Sequence, residues 1–180
     1  MTDRSKISNM MADLSPTYRS AAIKVCANSY RSSANYGQLL GIQLAIADYA
    51  SIKGTSPISQ ELTWLLSFGS TEPGSGITCE TTVIDKTSGI SSLTASADYQ
   101  GVTTLSVQIS GTQKSTLNYG TSSKSQTTSR SFSFSKYNFL MGLYGSENGR
   151  IESLGVILYN STICGALNFT NSTTNSTSVN

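Results

Sequence analysis

The chain has 180 residues, a net charge of +2 and no histidine; 12% of its residues are charged and 37% are apolar. The length suits one domain, and the charged fraction is well below the ~25% usual for soluble domains. Its 55 serines and threonines exclude a helical bundle, because both are poor helix formers. The small, scattered positive charge gives no electrostatic surface for nucleic acid. Without histidine, the commonest general base and the usual zinc ligand are missing, so neither a catalytic triad nor a metal cofactor is expected.

The three cysteines, Cys26, Cys79 and Cys164, are too few and too scattered for a metal-binding knuckle. They permit at most one disulfide, and buried free thiols are the simpler expectation. No segment approaches the roughly 18 to 20 apolar residues of a transmembrane helix. The first fifteen residues lack the apolar core of a secretory signal. The chain is therefore expected either to stay in the cytoplasm or to reach the cell exterior by a leader outside this sequence.

Taken in chain order, residues 1–16 are a polar arm with a methionine pair that ends at Pro16. Short runs with apolar residues at alternate positions then recur, separated by Gly, Ser, Asn and Thr clusters, and this period of two predicts strands. Residues 17–28 and 38–50 alone could also form helices. The predicted class is all-β, with a domain over 17–167 and a Ser/Thr/Asn-rich tail over 168–180. The candidate strands are 18–27, 39–49, 61–69, 77–85, 102–110, 129–135, 139–145 and 150–160.

One pattern occurs three times: an apolar residue, two spacers, then three apolar residues at alternate positions. Each copy follows a glycine closely, and the copies lie 63 and 49 residues apart. Alternation places the last three residues of each copy on one strand face, which another element must cover. The repeat predicts a domain with pseudo-threefold symmetry. Its members are Leu39, Ile42, Leu44 and Ile46 after Gly37; Val102, Leu105, Val107 and Ile109 after Gly101; and Ile151, Leu154, Val156 and Leu158 after Gly149.

The third copy in its context, FSFSKYNFLMGLYGSENGRIESLGVIL (132–158), resembles the closing strand pair of the jacalin-related lectins. The strong match covers about 30 residues and a weaker one covers most of 17–167. The resemblance implies a β-prism of three four-stranded Greek-key sheets around one apolar core. That core is expected to hold the repeat residues with Phe132, Phe134, Phe139, Leu140 and Trp64. The matching positions are Gly142, Gly145, Ile151, Leu154, Gly155 and Val156.

The loop from Gly145 to Glu152 lies where the family binds sugar through a Gly-x-x-x-Asp motif. Asn148 stands at the position of the glycine and Glu152 at that of the aspartate, with Gly149 and Arg150 between them. A carboxylate accepts charge-assisted bonds from adjacent sugar hydroxyls, and the N–H groups of a turn supply fixed donors. The family's Gly-rich stretch facing this loop is not visible in residues 1–36.

The resemblance therefore implies a noncatalytic domain, without cofactor, whose partner is a carbohydrate or glycoconjugate. Alternatively, Arg150 and Glu152 form a solvated ion pair that adds almost nothing to stability. In that case the protein is a structural, self-assembling subunit of a fibre or surface layer. A homo-oligomer is expected in either case.

Four glycosylation sequons, at Asn160, Asn168, Asn171 and Asn175, fall in the last 21 residues. Their number is near the chance expectation, but their placement is typical of a glycosylated tail on a secreted protein. The alternative is a polar tail without sugar.

Residues 111–135 are Ser/Thr-rich and alternate in character, which predicts a long solvated hairpin or loop more readily than a pore-forming hairpin. Glu147 and Glu152 lie five residues apart in the sequence, and a glycosidase needs a pair of carboxylates. Both surround a surface turn where no apolar pocket would raise a pKa, so the chain is not expected to be an enzyme.

Overall fold

The structure is a computed structural model that describes residues 18–31, 36–48, 62–121, 128–135, 138–160 and 178–179. These residues form strands and turns, and the described part contains no helix. The strands are β1 (Tyr18–Asn28), β2 (Leu39–Asp48), β3 (Thr63–Trp64), β4 (Phe68–Gly69), β5 (Ile77–Val83), β6 (Gly89–Asp98), β7 (Gly101–Ser110), β8 (Ser115–Gly120), β9 (Thr128–Ser133), β10 (Asn138–Glu147), β11 (Ile151–Asn160) and β12 (Ser178–Val179).

The strands form three antiparallel sheets, which confirms the predicted all-β prism. The first sheet has the order β3-β2-β1-β5, with β4 also paired to β2, and the second has the order β8-β7-β6-β9. The third sheet has the order β10-β11-β12. Two short strands share one edge position in the first sheet, and the third sheet has three described strands. The helical alternative for 17–28 and 38–50 is wrong, because β1 and β2 pair with each other along most of their length.

The predicted threefold repeat is visible in the backbone. The repeat strands β2, β7 and β11 lie in three different sheets, each paired with the strand that precedes it. Each of these three hairpins has a β-bulge near its turn and a second bulge near its open end, at equivalent positions. The bulged residues near the turns are Leu40, Thr103 and Glu152, and those near the open ends are Ala21, Ser91 and Met141.

The interior is the one that the repeat predicted. Eleven of the twelve repeat residues are buried, and Leu158 is half-buried against the same core. Leu140 is buried, and Phe132 and Phe134 pack against the core from its edge. The side chain of Phe139 lies outside the described residues.

The expectation for Trp64 is wrong, since this side chain is 39% exposed. The run 61–69 is not one strand but the two-residue strands β3 and β4. Trp64 pairs with Ala45, whose neighbour Leu44 belongs to the core. Because successive side chains alternate between faces, Trp64 lies on the outer face of the first sheet.

Cys26 and Cys79 form a disulfide between β1 and β5, so the expectation of free thiols is wrong for this pair. The two residues are directly opposite in the register of the strands. The two cysteines are 53 residues apart in the sequence. They become neighbours only because β5 pairs with the edge of β1, which the sequence did not indicate. Cys164 lies outside the described residues.

Three strands were absent from the sequence prediction: β6, β8 and the two-residue β12. Strand β6 is weakly apolar, and the bulge at Ser91 interrupts its alternation. The Ser/Thr-rich segment 111–135 supplies β8 and β9, which lie at opposite edges of the second sheet. The expectation that this segment forms a hairpin of its own is therefore wrong, because the long hairpin β6–β7 separates its two strands.

Candidate functional site

The turns of the three hairpins lie together at one end of the prism, here called the hairpin end. It comprises the β6–β7 turn (99–100), the β10–β11 turn (148–150) and the described parts of the β1–β2 connection, 29–31 and 36–38. The side-chain amide of Gln38 donates to that of Gln100 across 3.0 Å, which joins the first two turns. A Cβ on Gly101 would lie 2.5 Å from the carbonyl oxygen of Ile151, so the second and third turns touch through their backbones.

The β10–β11 turn contains the predicted site residues Asn148, Gly149 and Arg150. Gly149 has φ +66°, a left-handed conformation that glycine adopts without steric cost. The N–H of Asn148 donates to the carbonyl oxygen of Arg150 across 3.0 Å and closes the turn. This N–H is therefore used inside the turn, although the lectin resemblance suggested that the loop N–H groups face a ligand. Asn148 and Gly149 are exposed, and Arg150 is half-buried.

Glu152, the predicted acceptor, is the bulged residue of β11. Glu147 pairs with Ile151 and Ser146 pairs with Ser153, so Glu152 has no partner residue opposite it on β10. A bulge bends the strand and redirects the side chain of the extra residue. Glu152 is half-buried, and within the described residues it forms no ion pair with Arg150 inside 4.0 Å. The structure thus gives no support to the solvated Arg150–Glu152 pair.

Sequence reasoning missed a residue of this end, Gln38. The described part of the chain contains two buried side-chain polar atoms without a hydrogen-bond partner, Oε1 of Gln38 and Nε of Arg150. Gln38 and Arg150 occupy equivalent positions, each directly before the first repeat residue of its strand, Leu39 or Ile151. Buried polar groups are nearly always paired, so an acceptor and a donor left unpaired at one end of the molecule indicate a place for bound water or a polar ligand.

The carboxylate and the sequons that the sequence singled out lie outside the turn or outside the described residues. Glu147 is exposed at the end of β10, beside the turn. Asn160 ends β11, and its side chain is not described; Asn168, Asn171 and Asn175 lie outside the described residues. The described residues contain no group of three or more acidic or cysteine side chains placed to hold a metal ion. Nor does this part of the chain contain a helix long and apolar enough to cross a bilayer.

Several solved lectins have the same architecture. The chain is similar to a galactose-binding lectin from champedak bound to Gal(β)1,3-GalNAc, with a TM-score of 0.53 and 14% identity over 78% of this chain and 92% of that chain. It is also similar to jacalin in complex with melibiose, with a TM-score of 0.52 and 13% identity over the same shares. A prostate-specific WGA16 glycoprotein lectin gives a TM-score of 0.51 and 16% identity over 78% of this chain and 81% of that chain. The chain therefore has the fold of the jacalin-related lectins.

By sequence alone, the chain matches no protein-family model and no curated protein. The sequence identity with these lectins is low. The role of each site residue must therefore be judged from its own chemistry and position.

Proposed function

We propose that this protein is a noncatalytic carbohydrate-binding domain whose site is the hairpin end around Glu152. The observation that carries the proposal is the coincidence there of a bulged carboxylate and two buried, unpaired polar atoms, Gln38 Oε1 and Arg150 Nε. Saccharides present donors and acceptors on adjacent carbons, which suits a site that offers both. Two of the similar lectins, the champedak lectin and jacalin, are described in complex with sugars, which supports this ligand class.

The chemistry assigns a role to each group. The Glu152 carboxylate would accept hydrogen bonds from two adjacent hydroxyls, and bonds to an ionised acceptor are the strong ones. The Arg150 guanidinium would donate to a sugar oxygen and thereby satisfy its buried Nε. Since the site offers a few bonds close to water, we expect a monosaccharide Kd on the order of 0.1–10 mM. A site that only binds and releases in this way needs no catalytic group.

An extracellular or cell-surface location fits the covalent structure better than the cytoplasm. Disulfides form and persist in oxidising compartments, and Cys26–Cys79 is such a bond. The four sequons near the C-terminus would be glycosylated in the same compartments. Mass spectrometry of the protein from its natural source, before and after glycosidase treatment, tests both modifications.

Replacement of Glu152 tests the binding site. Glu152→Gln keeps the shape and removes the charge, so the affinity for the monosaccharide that binds should fall at least tenfold. Glu152→Asp restores the reach used in the lectin motif and should bind at least as well as the natural chain. Chemical-shift titrations with mannose, galactose and glucose measure both effects.

Glu147→Gln is the matched control, because it removes one charge from the partner strand beside the same turn and should leave the affinity unchanged. The proposal fails if no sugar shifts the signals of 148–152 at tens of millimolar. It fails equally if Glu147→Gln and Glu152→Gln weaken binding alike.

A second candidate function, self-assembly into a fibre or surface layer, is favoured by the outer edge of β10. Its equivalents β1 and β6 pair there with β5 and β9, but no described strand pairs with this edge of β10. Residues 140–146 carry no charge that would block pairing with another chain. Leu65, which packs beside Met141 of β10, is flanked by two exposed apolar side chains, Trp64 and Leu66.

Light scattering over a wide concentration range distinguishes this candidate. An assembling chain grows in mass with concentration, and the fluorescence of Trp64, its one tryptophan, shifts as the side chain is covered. A charge on the edge, as in Ser146→Lys, should reduce the growth, and so should deletion of the predicted arm (1–16) or tail (168–180). A monomer at every concentration rules assembly out.

A further inference from the structure

Asn148 and Gly149 are the one Asn-Gly pair of the sequence, and both are exposed in the β10–β11 turn. Asparagine is among the chemically labile residues, because the backbone nitrogen that follows it can attack its side-chain amide. A side chain on the following residue hinders that attack, and glycine has none. The turn therefore combines an exposed amide with an unhindered nucleophile.

The turn leaves both reacting groups unrestrained. Gly149 has φ +66°, and a Cβ built on it would meet no atom within 4 Å, so the space around this residue is open. Within the described residues, neither the N–H of Gly149 nor the side-chain amide of Asn148 has a hydrogen-bond partner. The bond that closes the turn uses other atoms, the N–H of Asn148 and the carbonyl oxygen of Arg150. Attack by the Gly149 nitrogen thus breaks no hydrogen bond of the turn.

Asn28, at the end of β1, has the opposite arrangement. It is followed by another small residue, Ser29, but the N–H of Ser29 donates to the carbonyl oxygen of Gly76 across 2.9 Å. The side-chain oxygen of Asn28 accepts the N–H of Tyr30 across 2.9 Å. The same attack at Asn28 would have to break both bonds. The fold therefore restrains the nucleophile and the amide at Asn28 and restrains neither at Asn148.

We propose that Asn148 is a site of spontaneous deamidation through a cyclic imide formed with the nitrogen of Gly149. A bond forms between that nitrogen and Cγ of Asn148, and the bond from Cγ to the side-chain nitrogen breaks. The side-chain nitrogen leaves as ammonia, taking up from solvent the proton that the Gly149 N–H gives up to it. Water then opens the imide. Addition at Cγ gives aspartate, and addition at the main-chain carbonyl carbon gives isoaspartate, whose backbone runs through Cγ. One water is consumed and one ammonia released, without oxidation or reduction.

Both products alter the turn at the hairpin end. Each adds a negative charge close in sequence to Arg150, whose buried Nε has no hydrogen-bond partner within the described residues. Isoaspartate also lengthens the backbone of the turn by one carbon atom. The inference goes beyond the proposed function and does not depend on it, because the reaction needs no ligand.

The test follows three asparagines in one sample. The full chain is incubated folded in mildly alkaline buffer, and a second sample is incubated unfolded in guanidinium chloride. Peptide mapping by mass spectrometry detects the replacement of NH2 by OH, and chromatography separates the aspartate and isoaspartate peptides. In the folded chain, Asn148 should be lost at least about tenfold faster than Asn28. Asn118, exposed on β8 and followed by the buried Tyr119, is the matched control and should stay intact.

Unfolding and substitution should separate the two sites further. Unfolding releases both bonds at Asn28 and should speed its loss, while the rate at Asn148 should change by less than about twofold. Gly149→Ala places a methyl group beside the attacking nitrogen and should slow the loss several-fold, with circular dichroism confirming that the variant is folded. Because the attacking nitrogen must first lose its proton, the rate at Asn148 should rise with pH.

Three outcomes overturn the proposal. The first is an Asn148 that is lost no faster than Asn28 in the folded chain. The second is a loss at Asn148 that becomes about tenfold faster on unfolding, since the folded turn would then protect the pair. The third is a product that contains aspartate and no isoaspartate, because hydrolysis of a cyclic imide gives both.

Discussion

The β6–β7 and β10–β11 hairpins have the same pattern of strand pairing and bulges but carry different side chains at equivalent positions. Each has a bulge next to its turn, at Thr103 in the first and at Glu152 in the second. The Thr103 side chain is 1% exposed, and its hydroxyl donates to the carbonyl oxygen of Ser96 across 3.2 Å. Glu152 is half-buried and makes no ion pair within the described residues. One bulge is closed by its own side chain, and the other presents a carboxylate to its surroundings.

The difference shows how side chains diverge at equivalent positions of a symmetric backbone. The third equivalent, Leu40, is apolar, and its carbonyl oxygen accepts the N–H of Ser70. The three bulges therefore share a backbone feature that strand pairing imposes. The side chain at each bulge decides whether that position is closed or open to its surroundings. Equivalent substitutions in the two hairpins test this division.

The largest effect is expected in the core that both hairpins share. Leu105 and Leu154 are equivalent and fully buried. Leu105→Ala and Leu154→Ala should each lower the free energy of unfolding by about 2–5 kcal/mol, through lost transfer energy and an unfilled cavity. Urea denaturation measures both, with the exposed Gln108→Ala as a control near zero. A cost for Leu154→Ala far below that for Leu105→Ala would show that the third hairpin is not an equal part of the core.

The second-largest effect on stability is expected at the turn glycines, where the two hairpins should respond differently. Gly101→Ala places a Cβ against backbone atoms at a φ that alanine avoids, so we expect a loss of about 2–4 kcal/mol. Gly149→Ala meets no atom within 4 Å and bears only the left-handed penalty of about 1–2 kcal/mol. Thermal denaturation of the two variants gives the order. If Gly149→Ala were the more damaging, the β10–β11 turn would be packed rather than open.

The smallest effect concerns the bulged residues themselves. Thr103→Val removes one hydroxyl and its bond to Ser96, which should cost about 0.5–1.5 kcal/mol of unfolding free energy. Glu152→Gln should change stability by no more than about 0.5 kcal/mol, as expected for a surface position. Denaturant midpoints at constant slope compare them. A clearly destabilised Glu152→Gln chain would mean that this carboxylate serves the fold and not a ligand.

Much of the fold could be predicted because the signals for it are local. The alternation in β2, β7 and β11 and the glycines before them predicted strands, repeat and core together. Gly37, Gly101 and Gly149 all have positive φ, as residues next to tight turns often do. The prediction was poorest where alternation was broken or short, as at β6, with its bulge at Ser91, and at Trp64 in a two-residue strand.

The candidate site was predicted in part, and the gap has a physical cause. Residues 148–152 are consecutive in the sequence, so their motif could be recognised from neighbouring letters. Gln38 and Gln100 belong to other hairpins, and no sequence spacing indicates that they share an end with Glu152. The disulfide was missed for the same reason, since Cys26 and Cys79 meet only across β1 and β5.

The sequence by itself determined the all-β class, the threefold repeat and the buried face of each repeat strand, because alternation and glycine act over a few neighbouring residues. The tertiary structure alone decided which sheet each strand joined, which cysteines were bonded and which three turns met. It also decided that the side chain at the bulge is buried for Thr103 and half-buried for Glu152. Burial is a property of everything that packs around a residue, and the chain brings those neighbours from positions far apart in the sequence.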